Sequence, residues 1–240
     1  RLKLAYRIVT ISEFGYEELK KVGMHSTYIP HTIETELFKP ISSQEKKVIR
    51  KKANLPEDAF LFGMVAANKD NPPRKSFQEV LDAFKMFLQK HNNAYIYFHT
   101  IHNQQNGFQI LQYAKFIGVD SHIITCDPHD YLYRIKHEDM PNIYNSFDCL
   151  LAPSRNEGFG VPIIEAQSCG VPVITTNFTA QKTLVKDGET GYLVDIAYKH
   201  YSNLGAYVGI PSVQDLYEKM EAIYKADRKK MGKAARKHVQ

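Results

Sequence analysis

The chain has 240 residues, 43% hydrophobic and 24% charged, which supplies a core and argues against a disordered chain. The excess of 31 Lys and Arg over 26 Asp and Glu gives a net charge of +5, too small and too dispersed to indicate nucleic acid binding. Three widely spaced cysteines argue against a disulfide scaffold or a zinc site, and no apolar run reaches the roughly 18 residues of a membrane span. With no secretory signal in the sequence, we expect a cytoplasmic protein.

Short apolar runs alternate with amphipathic stretches along the chain. The run 8–11 predicts a strand, and Ser12 predicts the N-cap of a helix that ends near Gly23. Further strands are predicted at 60–65, 94–98, 123–125, 149–152, 171–175 and 192–194, and helices at 77–88, 110–117, 142–146, 163–169 and twice in the last 30 residues. This alternation predicts an α/β protein with a parallel sheet and helices on both faces.

Three segments depart from this rhythm. Residues 30–40 are bracketed by prolines and are interpreted as a linker. Residues 46–52 form a basic run, either the solvated face of a helix or a contact with anionic lipid or an acidic partner. Residues 196–211 contain Gly, Ser, Asn and Pro without a clear period, which predicts an irregular insertion.

The stretch Pro153–Ala166 is the most informative part of the sequence. It follows a predicted buried strand, at the end where ligands of parallel sheets bind. Gly158 and Gly160 permit a tight turn and the close approach of a ligand, and Pro162 suits the first turn of a helix. The free N–H groups of such a turn and helix start form an anion site, for which a phosphate or diphosphate is the natural occupant.

Two carboxylates, Glu157 and Glu165, flank this anion site. A carboxylate repels a phosphate but accepts hydrogen bonds from the paired hydroxyls of a sugar or ribose. The pattern therefore indicates a phosphate held by the backbone and hydroxyls held by a glutamate on either side. The simpler alternative is a strand-to-helix turn with two solvated glutamates.

The same stretch resembles the signature of retaining glycosyltransferases of the GT-B fold, family four, in which seven residues separate two glutamates. The resemblance covers residues 7 to 195, and its most specific part is the region 153–194, which ends in Gly188-Glu189-Thr190-Gly191-Tyr192-Leu193-Val194. Asn142-Ile143-Tyr144 and the segment 34–40 also resemble the family. It implies a Rossmann-like domain that forms the C-terminal, donor-binding half of a GT-B enzyme.

The resemblance assigns roles to individual residues. Glu157 and the backbone of Gly158, Phe159, Gly160 and Val161 would contact the donor sugar, and Glu165 would bind the ribose hydroxyls. The family also places two basic residues on the diphosphate, after the first strand of this domain. Lys75 fits the second of these positions, while Lys69 has the separation expected of the first and Arg74 is its rival. Cations in that loop would in any case neutralise a diphosphate leaving group.

The implied domain organisation has three parts. Residues 1–29 would be the end of an N-terminal acceptor domain, 30–40 the interdomain linker, and 41–240 the nucleotide-sugar-binding domain. We therefore expect these 240 residues alone to bind donor without transferring sugar.

The implied function is retaining, metal-independent hexosyl transfer in carbohydrate biosynthesis. The donor would be a UDP- or GDP-linked sugar and the acceptor a hydroxyl of a glycan, lipid or other sugar, with no cofactor and no metal, since no Asp-x-Asp motif is present. A peripheral membrane contact is left open. The alternatives are a nucleotide-sugar-binding module or pseudoenzyme without transfer activity, and a nucleotide-sugar epimerase.

Some segments differ from the family pattern. Thr179–Thr183 stands where the family has a Gly-rich turn and a glutamate, so the resemblance implies no donor contact there, and this departure favours the pseudoenzyme alternative. His99 and His102 either line the cleft or lie on the plain surface, and His31 is interpreted as structural. The stretch 126–137 is longer than usual and would shape the nucleobase pocket.

Overall fold

The structure is a computed structural model that describes residues 6–70, 72–203 and 205–240. The first five residues of the predicted acceptor-domain segment, Asn71 of the predicted diphosphate loop and Leu204 of the predicted insertion lie outside the described residues.

The chain begins with a small unit of strand β1 (Val9–Thr10), helix α1 (Glu13–Lys21) and strand β2 (Thr27–Tyr28), in which the two strands pair in parallel. The Ser12 hydroxyl accepts a hydrogen bond from the backbone N–H of Gly15 at 3.2 Å, so it caps α1 as predicted. Gly23 ends the helix in the left-handed conformation (φ 72°), which closes the last turn as its position in the sequence predicts.

The rest of the chain alternates between strands and helices. The elements are α2 (Ser43–Lys52), β3 (Phe60–Val65), α3 (Phe77–Leu88), β4 (Ala94–His99), α4 (Ile110–Ile117), β5 (Ile123–Thr125), α5 (Met140–Ser146), β6 (Cys149–Ala152), α6 (Val161–Ser168), β7 (Val173–Thr176), β8 (Gly191–Val194), β9 (Ile196–Tyr201), β10 (Tyr207–Pro211), α7 (Val213–Lys225) and α8 (Arg228–Val239).

Six of these strands form one parallel sheet in the order β5-β4-β3-β6-β7-β8. The predicted strands and helices of the α/β pattern are therefore confirmed, with bounds that differ by a few residues. Helix α3 has the bounds that its apolar period predicts, and Gly118 ends α4 in the left-handed conformation (φ 78°).

The sheet is buried on both faces, which explains why its strands are apolar along their length. Phe62 and Met64 of β3 pack against α3 in one layer, while Leu61 packs with Phe147 in the other. Gly63, which lies between Phe62 and Met64 in β3, has no room for a side chain, because an added Cβ would lie 2.1 Å from the Phe147 ring. The strand at the centre of the sheet thus fixes the close approach of the α5–β6 connection.

Two predictions from the sequence are corrected. The segment 196–211 is not irregular: β9 and β10 pair antiparallel and form a hairpin. The basic run 46–52 lies on α2, but its solvated-face interpretation is wrong for two of its residues, because Lys46 and Arg50 bond the carboxylate of Asp148 at 2.8 and 2.7 Å. Arg50 is buried, and it also donates to the carbonyl oxygens of Ser146 and Ala59 at 2.9 Å each.

Candidate functional site

The site lies where the strand order of the sheet reverses. From β3 the chain proceeds to β4 on one side, whereas β6 pairs with β3 on the other side, so the loops after β3 and β6 diverge at the C-terminal edge. Such a topological switch point opens a crevice in which ligands of parallel α/β sheets bind. The two loops are the predicted basic loop 67–75 and the stretch that begins at Pro153.

Backbone contacts hold these two loops together. The N–H of Arg155 donates to the carbonyl oxygen of Arg74 at 2.9 Å, and the Arg74 guanidinium donates to the carbonyl oxygen of Asn156 at 2.8 Å. The Arg155 guanidinium in turn bonds the Glu79 carboxylate on α3 at 2.7 Å. These hydrogen bonds join the end of the basic loop, at Arg74, to the glycine-containing turn in one unit.

Glu157 is the centre of this unit. Its Oε1 lies 2.5 Å from Lys75 Nζ and its Oε2 lies 3.1 Å from an Arg74 guanidinium nitrogen. Burial alone would raise the pKa of Glu157, but the ion pair with Lys75 and the charge of Arg74 outweigh it and lower this pKa. Glu157 is therefore an ionised acceptor bracketed by two cations, and three of the predicted site residues are brought together.

The rival positions for the first basic residue differ in their surroundings. Arg74 contacts Glu157 directly, whereas Lys69 is exposed and forms no ion pair within the described part of the chain. The geometry of the loop therefore favours Arg74 as the partner of Lys75.

The turn Gly158–Gly160, which follows Glu157, could contact a ligand through its backbone. Gly158 is exposed, and Gly160 has a φ of 120°, a conformation that disfavours any side chain. The Phe159 ring is buried and packs edge-on against His31 at 5.2 Å between centroids, so this side chain is not available to a ligand. Val161 then starts α6, with Pro162 in its first turn as predicted.

Glu165 lies one turn into α6 and is half-buried. The hydroxyl of the fully buried Tyr144 donates a 2.6 Å hydrogen bond to Glu165 Oε2. Burial raises the pKa of Glu165, while the bond from Tyr144 and the nearby His137 act in the opposite direction. Tyr144 could not be recognised from the sequence as the partner of Glu165, because a contact between helices 21 residues apart leaves no periodic signal.

The stretch Thr179–Thr183, which differs from the family pattern, supports the same turn. The Thr179 hydroxyl accepts a hydrogen bond from the Glu157 backbone N–H at 3.2 Å, and Gln181 donates to the carbonyl oxygen of Ser154 at 2.5 Å. Thr179 (φ 52°) and Ser76 (φ 59°) are two of the three non-glycine residues with positive φ in the described ranges. Strained backbone on both sides of Glu157 is typical of functional sites.

Other predicted residues lie around the site. His99, at the end of β4, is buried, and this burial lowers its pKa to about 4, so its plain-surface interpretation is wrong. Its ring lies 5.1 Å from that of Tyr131, in the stretch 126–137, which forms a single π-helical turn at Asp130–Arg134. His102 is half-buried, and its Nδ1 lacks a partner among the described residues.

Asp127, His129 and Asp130 offer ligand atoms within 4.8 Å of one another, the one such group found in residues 6–70, 72–203 and 205–240. An oxygen of Asp127 already accepts hydrogen bonds from the backbone N–H groups of His129 and Asp130 at 2.9 and 3.1 Å, so this group caps a turn.

Within the described part of the chain, every helix is too short or too polar to cross a membrane.

Comparison with known proteins agrees with this architecture. Residues 45–203 match the family Glycosyl transferases group 1, so the chain belongs to this family. The capsular polysaccharide biosynthesis glycosyltransferase CapM of Staphylococcus aureus is 30% identical over 193 residues, which cover 80% of this chain and 46% of CapM. The chain spans about half the length of the curated relatives that it matches over most of its residues.

Solved structures show the same fold at low identity. Sucrose-phosphate synthase from Thermosynechococcus elongatus superposes with a TM-score of 0.78 at 21% identity, covering 100% of this chain and 54% of that protein. Anabaena HepE, solved in complex with UDP-glucose, gives a TM-score of 0.76 at 18% identity and covers 98% of this chain and 59% of HepE. The predicted Rossmann-like domain of GT-B type is confirmed.

Proposed function

We propose that the protein transfers a sugar from a nucleotide-diphosphate sugar to a hydroxyl acceptor, with retention of anomeric configuration and without a metal. The observation that carries the proposal is the arrangement of Lys75 and Arg74 on Glu157, directly before the Gly158–Gly160 turn. Two cations, an ionised carboxylate and a backbone turn at the switch point match the chemistry of a sugar joined to a diphosphate. Membership of the family and the UDP-glucose complex of the structural neighbour HepE support the same class of donor.

The roles follow from the charges. Departure of the nucleoside diphosphate leaves positive charge on the anomeric carbon and negative charge on the leaving oxygen. Lys75 and Arg74 would stabilise the diphosphate in place of a divalent ion, and this accounts for two cations held beside the turn by Asn156 and Glu157. The acceptor hydroxyl would attack on the face that the diphosphate leaves, and a phosphate oxygen would take its proton.

The glutamates would orient the donor. Glu157 would accept hydrogen bonds from the sugar hydroxyls, and we assign it no covalent bond to the sugar. Glu165, whose Oε2 is held by Tyr144, keeps Oε1 for the hydroxyls of the ribose. The Ser76 hydroxyl and the Asn156 amide oxygen are buried without a partner among the described residues, so the site retains unused polar atoms beside Lys75 and Glu157.

Transfer assays on the full-length protein test this proposal. UDP- and GDP-linked sugars are first screened by thermal shift, and transfer to acceptor is then measured with and without EDTA. We expect Lys75→Ala and Glu157→Ala each to reduce transfer by roughly a hundredfold to a thousandfold, with unchanged circular dichroism. Lys69→Ala is the matched control and should retain most activity. Near-normal transfer by both site variants would end the assignment.

The same assays separate the alternative functions. A transferase converts donor only when acceptor is supplied, and NMR of the product shows the anomeric configuration of the donor. Conversion of the donor sugar without acceptor would indicate an epimerase, and binding without any turnover would indicate a binding module. We expect the 240 residues alone to bind donor and not to transfer it, because the chain covers about half of its relatives.

A further inference from the structure

A second cavity lies at the opposite edge of the sheet from Glu157. It has a volume of about 710 Å³ and lies between the starts of α2 and α8, beneath the N-terminal ends of β6 and β7. Phe147 and Asp148 at the start of β6 and Pro172 before β7 form its floor. Because all strands of the sheet are parallel, this basal cavity faces away from the loops that carry the candidate donor site.

Most of the charged residues that line the basal cavity are cations. Its charged residues are Lys46, Arg228, Lys229, Lys233 and Arg236 against Asp148 and Asp227. Five cations oppose two carboxylates, so the formal charge of the wall is +3. The cations come from two separate helices, α2 and α8, that converge on the cavity.

The two carboxylates are already engaged. Asp148 bonds Lys46 at 2.8 Å and also Arg50 at 2.7 Å, behind the wall. Asp227 accepts the backbone N–H of Lys230 at 3.1 Å and caps α8. The carboxylates therefore leave most of the positive charge of the wall uncompensated.

The remaining cations have no carboxylate partner in the described ranges. Arg228 donates a hydrogen bond from Nη1 to the carbonyl oxygen of Tyr224 at 2.8 Å. Its guanidinium carbon lies 4.9 Å from the centre of the Phe60 ring. Arg236 donates to oxygen atoms of Phe38 and Ser168. Lys229 and Lys233 are exposed at the rim. Within the described ranges, Arg228, Lys229 and Lys233 keep N–H donors that are free for a ligand, whereas the Arg236 guanidinium is engaged by Phe38, Ser168 and the amide oxygen of Gln240.

Lys46 shows the effect of this surplus charge. Burial lowers its pKa, and the neighbouring charges of Arg50 and Arg228 lower it further, although Asp148 opposes both. A cation that is desolvated and repelled by other cations is stabilised by any anion that enters beside it.

We propose that the basal cavity binds the phosphate or diphosphate group of a small soluble ligand, at a site separate from the donor site. The volume suits a small molecule, since ligand pockets span about 300–1,000 Å³. Unpaired Arg and Lys donors are the groups that recognise phosphate oxygens. This inference does not depend on glycosyl transfer, because no residue of the cavity belongs to the candidate donor site.

Sodium pyrophosphate is the probe for the test. Its binding to the 240-residue chain is measured by calorimetry at 150 mM salt in a Lys75→Ala background, which weakens competing binding at the donor loop. We expect binding in this background and at least a tenfold loss of affinity when Lys229→Ala and Lys233→Ala are added. The matched control is Lys51→Ala with Lys52→Ala, which removes the same charge from α2 outside the cavity and should leave the affinity within twofold.

Each other outcome overturns the proposal. Pyrophosphate binding that disappears with Lys75→Ala alone would place the anion only at the donor loop. An equal loss of pyrophosphate affinity in the cavity variant and in the Lys51→Ala, Lys52→Ala control would mean that the net charge of the protein alone attracts the anion. Binding of phosphatidylglycerol vesicles that pyrophosphate does not displace, with no pyrophosphate binding, would identify a membrane contact instead. Circular dichroism and urea midpoints establish that the double variants fold.

Discussion

Lys75 and Glu157 form an ion pair in which Nζ lies 2.5 Å from Oε1 and each side chain is only 14% exposed. The residue proposed for the diphosphate and the residue proposed for the sugar are therefore bonded to each other. A donor that contacts both must exchange this ion pair for its own contacts. This exchange makes the affinity for nucleotide and the rate of transfer respond differently to the same substitution.

Glu157→Gln should separate nucleotide affinity from transfer. The change removes a negative charge next to Lys75 and Arg74, so both cations become more available to a diphosphate. We expect calorimetry to show UDP binding that is tightened about threefold to tenfold, while the full-length variant loses transfer by roughly a hundredfold.

The control for this prediction is Glu189→Gln, which removes the same charge from a side chain that is 61% exposed and forms only a loose 3.9 Å ion pair with Lys186 in the described ranges. It should change neither quantity. Weaker UDP binding by Glu157→Gln would show that the carboxylate itself holds the nucleotide, contrary to the roles proposed here.

Tyr144→Phe should make nucleotide binding sensitive to pH. The change removes the 2.6 Å hydrogen bond to Glu165, which opposes the rise in pKa that burial imposes on this carboxyl. The pKa of Glu165 should then rise further, so that the carboxyl is protonated at a higher pH and accepts ribose hydroxyls less well. We expect the Kd for UDP to increase about tenfold at pH 5.5 and less at pH 8.

Tyr113→Phe is the matched control, since its hydroxyl donates to the Asp82 carboxylate at 2.8 Å on the other side of the sheet. A loss of affinity in Tyr144→Phe that is equal at both pH values would mean that the hydroxyl acts only through packing.

Gly209→Val tests the link between the hairpin and the site. The Gly209 backbone N–H donates to the carbonyl oxygen of Arg155 at 2.9 Å, and an added Cβ would lie 2.6 Å from Ile196 and 2.9 Å from the Phe178 ring. The substitution should push the hairpin away and release the loop that carries Glu157. We expect weaker UDP binding together with a loss of about 1–3 kcal/mol in the free energy of unfolding from overpacking, whereas Ala197→Val at an exposed position of β9 should change neither. Normal UDP affinity in Gly209→Val would show that the hairpin does not support the site.

The hairpin also shows what the sequence could not predict. Strands are recognised from a buried face that alternates with an exposed one, but all five residues from Ala197 to Tyr201 are exposed. The strands of the central sheet, by contrast, were predicted because burial on both faces requires continuous apolar runs. Helix α3 was predicted to the residue because one apolar face packs on the sheet.

The candidate site also has one part that the sequence predicts and one part that only the folded structure shows. The pattern around Glu157 and Glu165 is local, because one strand, one turn and one helix place both carboxylates, and the sequence therefore predicts their neighbourhood. The partners of these carboxylates come from elsewhere in the fold. Arg74 reaches Glu157 only because β3 and β6 are neighbours, and Tyr144 reaches Glu165 only because α5 packs on α6. The preference for Arg74 over Lys69 rests on this contact in the folded structure.

Asp148→Asn should destabilise the fold in a pH-dependent manner. The Asp148 side chain, 18% exposed, bonds Lys46 and Arg50 and accepts the backbone N–H of Leu61 at 2.8 Å. Removing its charge leaves two largely buried cations without a carboxylate, and we expect a loss of about 3 kcal/mol in the free energy of unfolding at pH 7, measured by urea denaturation. Asp58→Asn, which breaks an exposed ion pair with Lys47, should leave the urea midpoint unchanged.

The sign of the pH dependence follows from the pKa of Asp148. Burial would raise this pKa, but Lys46 and Arg50 bring it below the ordinary value of 3.8. A carboxyl whose pKa is lowered by folding stabilises the protein above its unfolded pKa, and this contribution is lost as the pH falls through the folded pKa. The difference in stability between the wild type and Asp148→Asn should therefore be complete at pH 7 and shrink below pH 4. A difference that stays constant down to pH 3 would mean that the carboxylate stabilises the fold through shape and not through its charge.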